Sequence, residues 1–395
     1  MAENKKENLE KRVSQHIYRI YEGILNSDEL TQLTDSILSK IIDSQNELPD
    51  HITQEGEPWS EKTIVLITYA DTINDKNNLP INTINNFLHD HAKDFFEIVH
   101  ILPFFPSSSD TGFSVMDYYT IYHKFGQWND ILKISKDFGV MADVVINHGS
   151  SKGKWFNNFI KGKGKGHDYF LNFDETFDVS KVIRPRTSDL LNSFDTSAGE
   201  KFVWCTFSRD QVDYNFSKPV VLYEFIEIII FYLSKGITVF RFDAVAFIWK
   251  KIGTRCINLD KTHEIVRLFR TLLTYLSPKA ILVTETNTPA RENVSYFGNA
   301  NEAHWIYNFS LPPLILNSLL FADSEALRSW SMSMPPALEG TSYLNFLSSH
   351  DGFGMRPTEG ILTESQRSRL LNRLEANGSL FTWRHVSTER KSIYE

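Results

Sequence analysis

From residue 63 onward, short β-branched runs recur along the chain, each followed by a longer stretch with apolar residues at helical spacing. The runs fall at 63–69, 98–102, 140–146, 238–242, 280–284, 302–307 and 342–347. Several are apolar throughout, as strands covered on both faces must be. The helical period shows at 81–96, 128–138, 220–234 and 261–276. Strand–helix alternation predicts a parallel sheet with right-handed crossovers, and seven such units favour a barrel over an open sheet.

Three regions depart from this rhythm. Residues 1–60 are polar and helix-prone, with an amphipathic helix expected at 30–42 and Ser27 and Asp28 as its caps. Residues 149–210 are rich in Gly, Lys, Ser and Asp without long apolar periodicity, so they read as a subdomain inserted after the third strand. Residues 352–395 contain one helical stretch near 370–376 and nothing that reads as an eighth strand and its helix. The expected organisation is therefore a helical N-terminal extension (1–60), a first barrel part (61–148), an inserted subdomain (149–210) and an incomplete barrel remainder (211–395). The fold class is α/β: a (β/α)8-type TIM barrel without its strand 8, in a chain expected to be truncated at its C-terminus.

Composition changes this picture little. With 42 % apolar residues the 395-residue chain can bury a sizeable core. A net charge of −8 argues against nucleic acid and acidic membrane surfaces as partners. The lysines at 161–165 are expected in a solvated loop. Cys205 and Cys256 make no disulfide framework, and the charged N-terminus has no apolar run of a signal peptide. The longest apolar run, 225–233, contains Glu227 and is too short to span a bilayer. A soluble, cytoplasmic protein is expected. Most of the aromatic side chains are assigned to core packing rather than to sugar platforms.

Active sites of such barrels lie at the carboxyl ends of the strands. Asn147–His148 end the third strand, Arg241–Phe242–Asp243 the fourth, Glu285–Thr286–Asn287 the fifth and His350–Asp351–Gly352 the seventh. Glycoside chemistry with retention needs two carboxyl groups about 5–5.5 Å apart, one attacking the anomeric carbon and one shuttling the proton. Three acids in one mouth supply this, and their mutual repulsion is expected to keep one protonated near neutral pH. Asp243 is assigned as nucleophile, held ionised by Arg241 on the same strand face. Glu285 is the acid/base, and Asp351 grips sugar hydroxyls. His148 and His350 are expected to donate hydrogen bonds to the sugar. Asp143, inside its strand, reads as a structural partner. A lone acid at a strand end more often caps a helix or holds an arginine; three at ordered strand ends, with His and Arg beside them, point to chemistry.

The segments DVVINH (143–148), FRFDAVAF (240–247), TETN (284–287) and SSHDG (348–352) resemble, in order and spacing, the four signature regions of glycoside hydrolase family 13, the α-amylase family. The resemblance runs from about residue 63 to 360. Within the family the chain is similar to the sucrose phosphorylase group, through DTGF (110–113), RPR (184–186), WCTFSRDQVD (204–213) and GTRC (253–256); WCTFSRDQVDYNF and HDGFGMRPTEG resemble its glucosylglycerate phosphorylase branch. The resemblance implies transfer of glucosyl from sucrose or glucosylglycerate to inorganic phosphate, with retention and no cofactor. It implies a glucose subsite lined by Asp110, Phe113, His148, Arg241 and His350, with Asp110 on distal hydroxyls and Phe113 stacked on the ring. Arg184 or Arg186 would reach phosphate, a surface role being the alternative for each; Arg186 or Arg356 is the candidate for a glycerate carboxylate. It also implies a C-terminal β-domain, which is expected to fall outside this sequence. The competing readings are a hydrolase of the same family, whose amylase form would bind calcium near Asn147, and a non-catalytic carbohydrate-binding or degenerate barrel, or inactive fragment. No metal is expected. The acceptor and the oligomeric state are not legible.

Overall fold

The computed structural model describes residues 2–385 and 391–393. Seven parallel strands form one sheet in sequence order: β1 (Val65–Thr68), β2 (Ile98–Ile101), β3 (Gly139–Val145), β4 (Ile237–Asp243), β5 (Ile281–Thr284), β6 (Trp305–Tyr307) and β7 (Ser342–Leu344). All seven expected strands are present, and the sheet is a partial (β/α) barrel. Among the described residues no ladder joins β1 to β7. The two edge strands are short, and β7 stops at Leu344, before the expected end of its run.

Alternation sorts the side chains. Ile98, Met141, Val239, Ile281, Val283, Trp305 and Tyr307 pack together inside the curl of the sheet. Val99, Ala142, Phe240, Phe242 and Leu282 face the helix layer outside. Val239, Arg241 and Asp243 are two apart on β4, so Arg241 and Asp243 follow Val239 into the lumen.

The expected helices form as Pro80–Phe87, Trp128–Ile134, Pro219–Ser234 and Asp260–Leu276, and Glu364–Ala376 encloses the late helical stretch. Pro219–Ser234 is apolar nearly all round and is buried against the sheet. Among the described residues no helix is long and apolar enough to cross a membrane. The N-terminal residues form helices Ala2–Tyr21 and Ser27–Ser44. The first buries Leu9, Val13, Ile17, Ile20 and Tyr21 and docks on Asp260–Leu276, where His16 Nδ1 lies 2.6 Å from Glu264 Oε1. The cap of the second is Asn26, not Ser27 or Asp28: its side chain accepts from the Asp28 and Glu29 amides, and Glu29 reciprocates in a capping box.

Between β3 and β4 the chain builds a small antiparallel unit. His148–Ser150 pairs with Gln211–Asp213, and Gly199–Trp204 pairs with Asn172–Phe173 on one side and Leu191–Thr196 on the other. The lysine-rich loop here is not wholly solvated, because Lys165 Nζ lies 2.7 Å from the buried Glu224 carboxylate. Both cysteines are free and buried. After β7, Trp383–His385 pairs with Lys391–Ile393 in a separate hairpin; the remainder of the polar end of the chain, 386–390 and 394–395, lies outside the described residues.

Candidate active site

Asp143, Arg241 and Asp243 meet because β3 and β4 pair with Asp143 opposite Arg241. Arg241 Nη1 donates to Asp143 Oδ1 at 2.5 Å and to Asp243 Oδ1 at 2.8 Å, and Asp143 Oδ2 lies 2.8 Å from His100 Nε2. Burial would raise the pKa of Asp143, but His100 and Arg241 outweigh it and hold it down at about 2. Asp143 is thus the structural partner expected, fixing the arginine from below.

Asp243 differs from expectation. Arg241 favours its ionised form, yet burial outweighs the arginine and raises its pKa above the usual carboxylate range. Glu285 stands on the exit of β5. Its Oε2 accepts from the Ala244 amide at 3.2 Å, and Ala244 has a left-handed backbone, φ 53°, that turns the chain directly after Asp243. Burial first, and the charge of Asp243 second among the raising causes, push Glu285 up to about 7, although Arg241 pulls the other way. The repulsion expected from the sequence is therefore present but secondary to desolvation.

Asp351 is the outermost of the three, its side chain half exposed, with Oδ2 3.1 Å from His350 Nε2. Burial would raise its pKa, but His350, Arg241 and Arg186 lower it. The His350 ring stacks on Phe113, with centroids 5.1 Å apart and planes 7° apart. One face of Phe113 is thus already occupied, and the Arg241 guanidinium lies 5.6 Å from its centroid.

Asp243, Glu285 and Asp351 line one cleft together with Asp110, Phe113, His148 and Arg186. Arg241, Glu285, His350 and Asp351 also wall an adjoining recess beside Ile67 of β1. Nine of the eleven candidate site residues named from the sequence therefore gather around these two spaces, Arg184 and Arg356 being the exceptions. Arg184 does not: its Nη2 is 3.5 Å from Ser188 Oγ, and it lines neither. Arg356 is buried behind the site, Nη1 3.5 Å from the Asn287 carbonyl.

Gln211 was missed. Its Nε2 donates to Asp110 Oδ2 at 2.7 Å and lies 3.1 Å from His148 Nε2, so it ties two expected sugar contacts to the inserted unit. The sequence signal was its place inside the segment WCTFSRDQVD (204–213), two residues before Asp213. Asn287, Thr286, Thr288 and Phe207 also line the cleft. Asn147 is engaged otherwise: its Oδ1 accepts from Lys250 Nζ at 2.7 Å, and Lys250 lies 2.7 Å from the buried Asp213. Among the described residues no group of three His, Cys, Asp or Glu side chains gathers as a metal site.

The raised Glu285 pKa has a thermodynamic consequence. Between its ordinary 4.5 and about 7 the folded protein retains a proton that the unfolded chain has released, so stability falls as pH rises through that window and stays lowered above it. Glu285→Gln is expected to be more stable than the wild type at pH 8, on the order of 2 kcal/mol, and to lose that advantage by pH 4. Denaturant melts at both pH values check this; an advantage independent of pH would contradict it.

A partial (β/α) barrel with acids at the exits of β4, β5 and β7 defines a carbohydrate-active class. The alpha-amylase catalytic domain matches residues 94–394, and the chain belongs to that family. It is 42 % identical over 337 residues to the glucosylglycerate phosphorylase of Spirochaeta thermophila, covering 85 % of this chain and 57 % of that protein. It is 37 % identical over 390 residues to the glucosylglycerate phosphorylase of Escherichia coli, covering 98 % of this chain and 68 % of that one. The chain thus spans between about half and two thirds of the length of these relatives. The crystal structure of sucrose 6F-phosphate phosphorylase from Thermoanaerobacter thermosaccharolyticum superposes with a TM-score of 0.75 at 26 % identity, over 85 % of this chain and 69 % of that one.

Proposed function

We propose that the chain carries the glucosyl-transfer site of a retaining α-glucoside phosphorylase, with glucosylglycerate as donor and inorganic phosphate as acceptor. The observation that carries this is the convergence of Asp243, Glu285 and Asp351 on one cleft in a chain 37–42 % identical to glucosylglycerate phosphorylases over most of its length.

In the first step an Asp243 oxygen attacks the anomeric carbon while the bond to the glycerate oxygen breaks, and Glu285 gives that oxygen its proton. A pKa near 7 suits Glu285 to this role, since it is substantially protonated at neutral pH. In the second step a phosphate oxygen attacks the same carbon, the ester to Asp243 breaks, and Glu285 recovers a proton from phosphate. Two inversions give α-glucose 1-phosphate with retention. Asp351, paired with His350, holds sugar hydroxyls and adds negative charge near the oxocarbenium-like transition state. Arg186 is the cation assigned to the acceptor side: it lines the cleft and acts on the charge of Asp351, and a planar guanidinium suits either phosphate or a glycerate carboxylate.

The test is release of glycerate from glucosylglycerate with and without phosphate. Phosphate-dependent release with formation of α-glucose 1-phosphate is expected. Release of glucose at a rate indifferent to phosphate would make the protein a hydrolase of the same family.

A further inference from the structure

The loop after β2 that bears Asp110 and Phe113 is held in an unusual shape. Asp110 and Thr111 have φ of 55° and 47°, a region that residues with a Cβ rarely visit. At Gly112, φ 110°, an added Cβ would lie 2.7 Å from the Pro103 carbonyl oxygen, so the turn cannot relax towards β2. Two consecutive left-handed residues persist only where the surroundings over-determine them.

The restraint comes from one carboxylate at the far end of the inserted unit. Asp210 Oδ2 accepts from the hydroxyls of Ser108, Ser109 and Ser114, and Oδ1 accepts from Ser151 at 2.7 Å. Ser150 Oγ completes the cluster, 2.6 Å from Ser108 Oγ and 3.5 Å from Asp210 Oδ1. The Ser151 amide donates to the Asp210 carbonyl at 2.8 Å. Three serines come from the β2 loop and two from the start of the inserted unit, all converging on a residue about 60 to 100 positions away in sequence. The next residue, Gln211, takes hold of Asp110 itself at 2.7 Å. The pair 210–211 therefore fixes the loop at its serines and at its cleft-lining acid.

We propose that Asp210 is a positioning residue for glucosyl transfer: through the serine hydroxyls it holds the strained Asp110–Thr111 turn, and so sets where Asp110 and Phe113 meet the sugar. This rests on the glucosyl-transfer reading above. Asp210 lines neither the cleft nor the adjoining recess, so its effect on turnover is indirect, passing through the serine-held loop and through its neighbour Gln211, which lines the cleft and holds Asp110.

The test compares Asp210→Asn with the wild-type 395-residue chain in two measurements. The first is kcat and KM for fluoride release from α-glucosyl fluoride, a donor that requires only the glucosyl pocket and the nucleophile. A fall in kcat/KM on the order of 10²-fold, expressed largely in KM, is expected. The second is hydrogen exchange of amides 108–114, expected to quicken at least tenfold while exchange in β3 and β4 is unchanged. Ser109→Ala and Ser151→Ala should give smaller effects that are not additive with Asp210→Asn, and they replace it if that variant fails to fold. If the wild type releases no fluoride, the glucosyl-transfer reading fails by itself, and the exchange comparison still decides whether Asp210 holds the loop. Unchanged exchange at 108–114, or kcat/KM within threefold of an active wild type, overturns the proposal.

Discussion

Asp243→Asn is expected to lower glucosyl transfer from α-glucosyl fluoride by roughly 10⁴-fold or more while leaving the fold intact. The two halves of this expectation have separate origins. An amide oxygen cannot form the glycosyl ester, so the covalent route closes. The same oxygen can still accept from Arg241 Nη1, which now holds Asp243 Oδ1 at 2.8 Å, so the buried arginine keeps both its partners. Steady-state fluoride release and a thermal melt check the pair of outcomes. Turnover within tenfold of the wild type would remove Asp243 from the nucleophile's role.

Arg241→Met carries the largest expected loss of stability. The guanidinium is 4 % exposed and stands between two carboxylates, Asp143 at 2.5 Å and Asp243 at 2.8 Å. Removing it leaves buried negative charge uncompensated, a change that costs about 3–5 kcal/mol; for a chain of this length the melting temperature should fall by roughly 5 °C. His100 still faces Asp143, so the orphaned group is chiefly Asp243. Its pKa, already raised by burial, should rise further without the arginine. The deficit should therefore shrink as pH falls and Asp243 takes up a proton. Adding Asp243→Asn, which neutralises the orphaned group, should restore part of the loss. A variant as stable as the wild type at pH 7 would mean that Asp143 and Asp243 do not depend on this cation.

Strands β2 to β5 were the most legible because each is a short run rich in β-branched residues and buried in a parallel sheet, and a strand covered on both faces leaves that signature directly. The lumen face was legible at β4, where Arg241 and Asp243 are two residues apart. Residues 1–60 were legible as helix-prone, but the bounds and docking of helix Ala2–Tyr21 were not, because its buried residues form one narrow stripe in a mostly polar segment and need Asp260–Leu276 to give that stripe a partner. The acids at the strand ends could be read in order. The cause of the Glu285 shift could not, since desolvation depends on what closes over a side chain rather than on which charges neighbour it in sequence. Arg184 and Arg186 are separated by one proline, and only the course of the loop decides that Arg186 alone reaches the cleft. Gln211 and Asp210 act across about a hundred residues, beyond any local period.

The covalent step is the centre of the account, and trapping tests it most directly. The chain is incubated with a fluorinated α-glucosyl fluoride, whose ring fluorine slows breakdown of the glycosyl ester, and its intact mass and peptide map are recorded. One fluoroglucosyl unit on Asp243, absent from Asp243→Asn and removed by added phosphate, is the predicted result. An unmodified chain, or an adduct mapped to Glu285 or Asp351 instead, would contradict it.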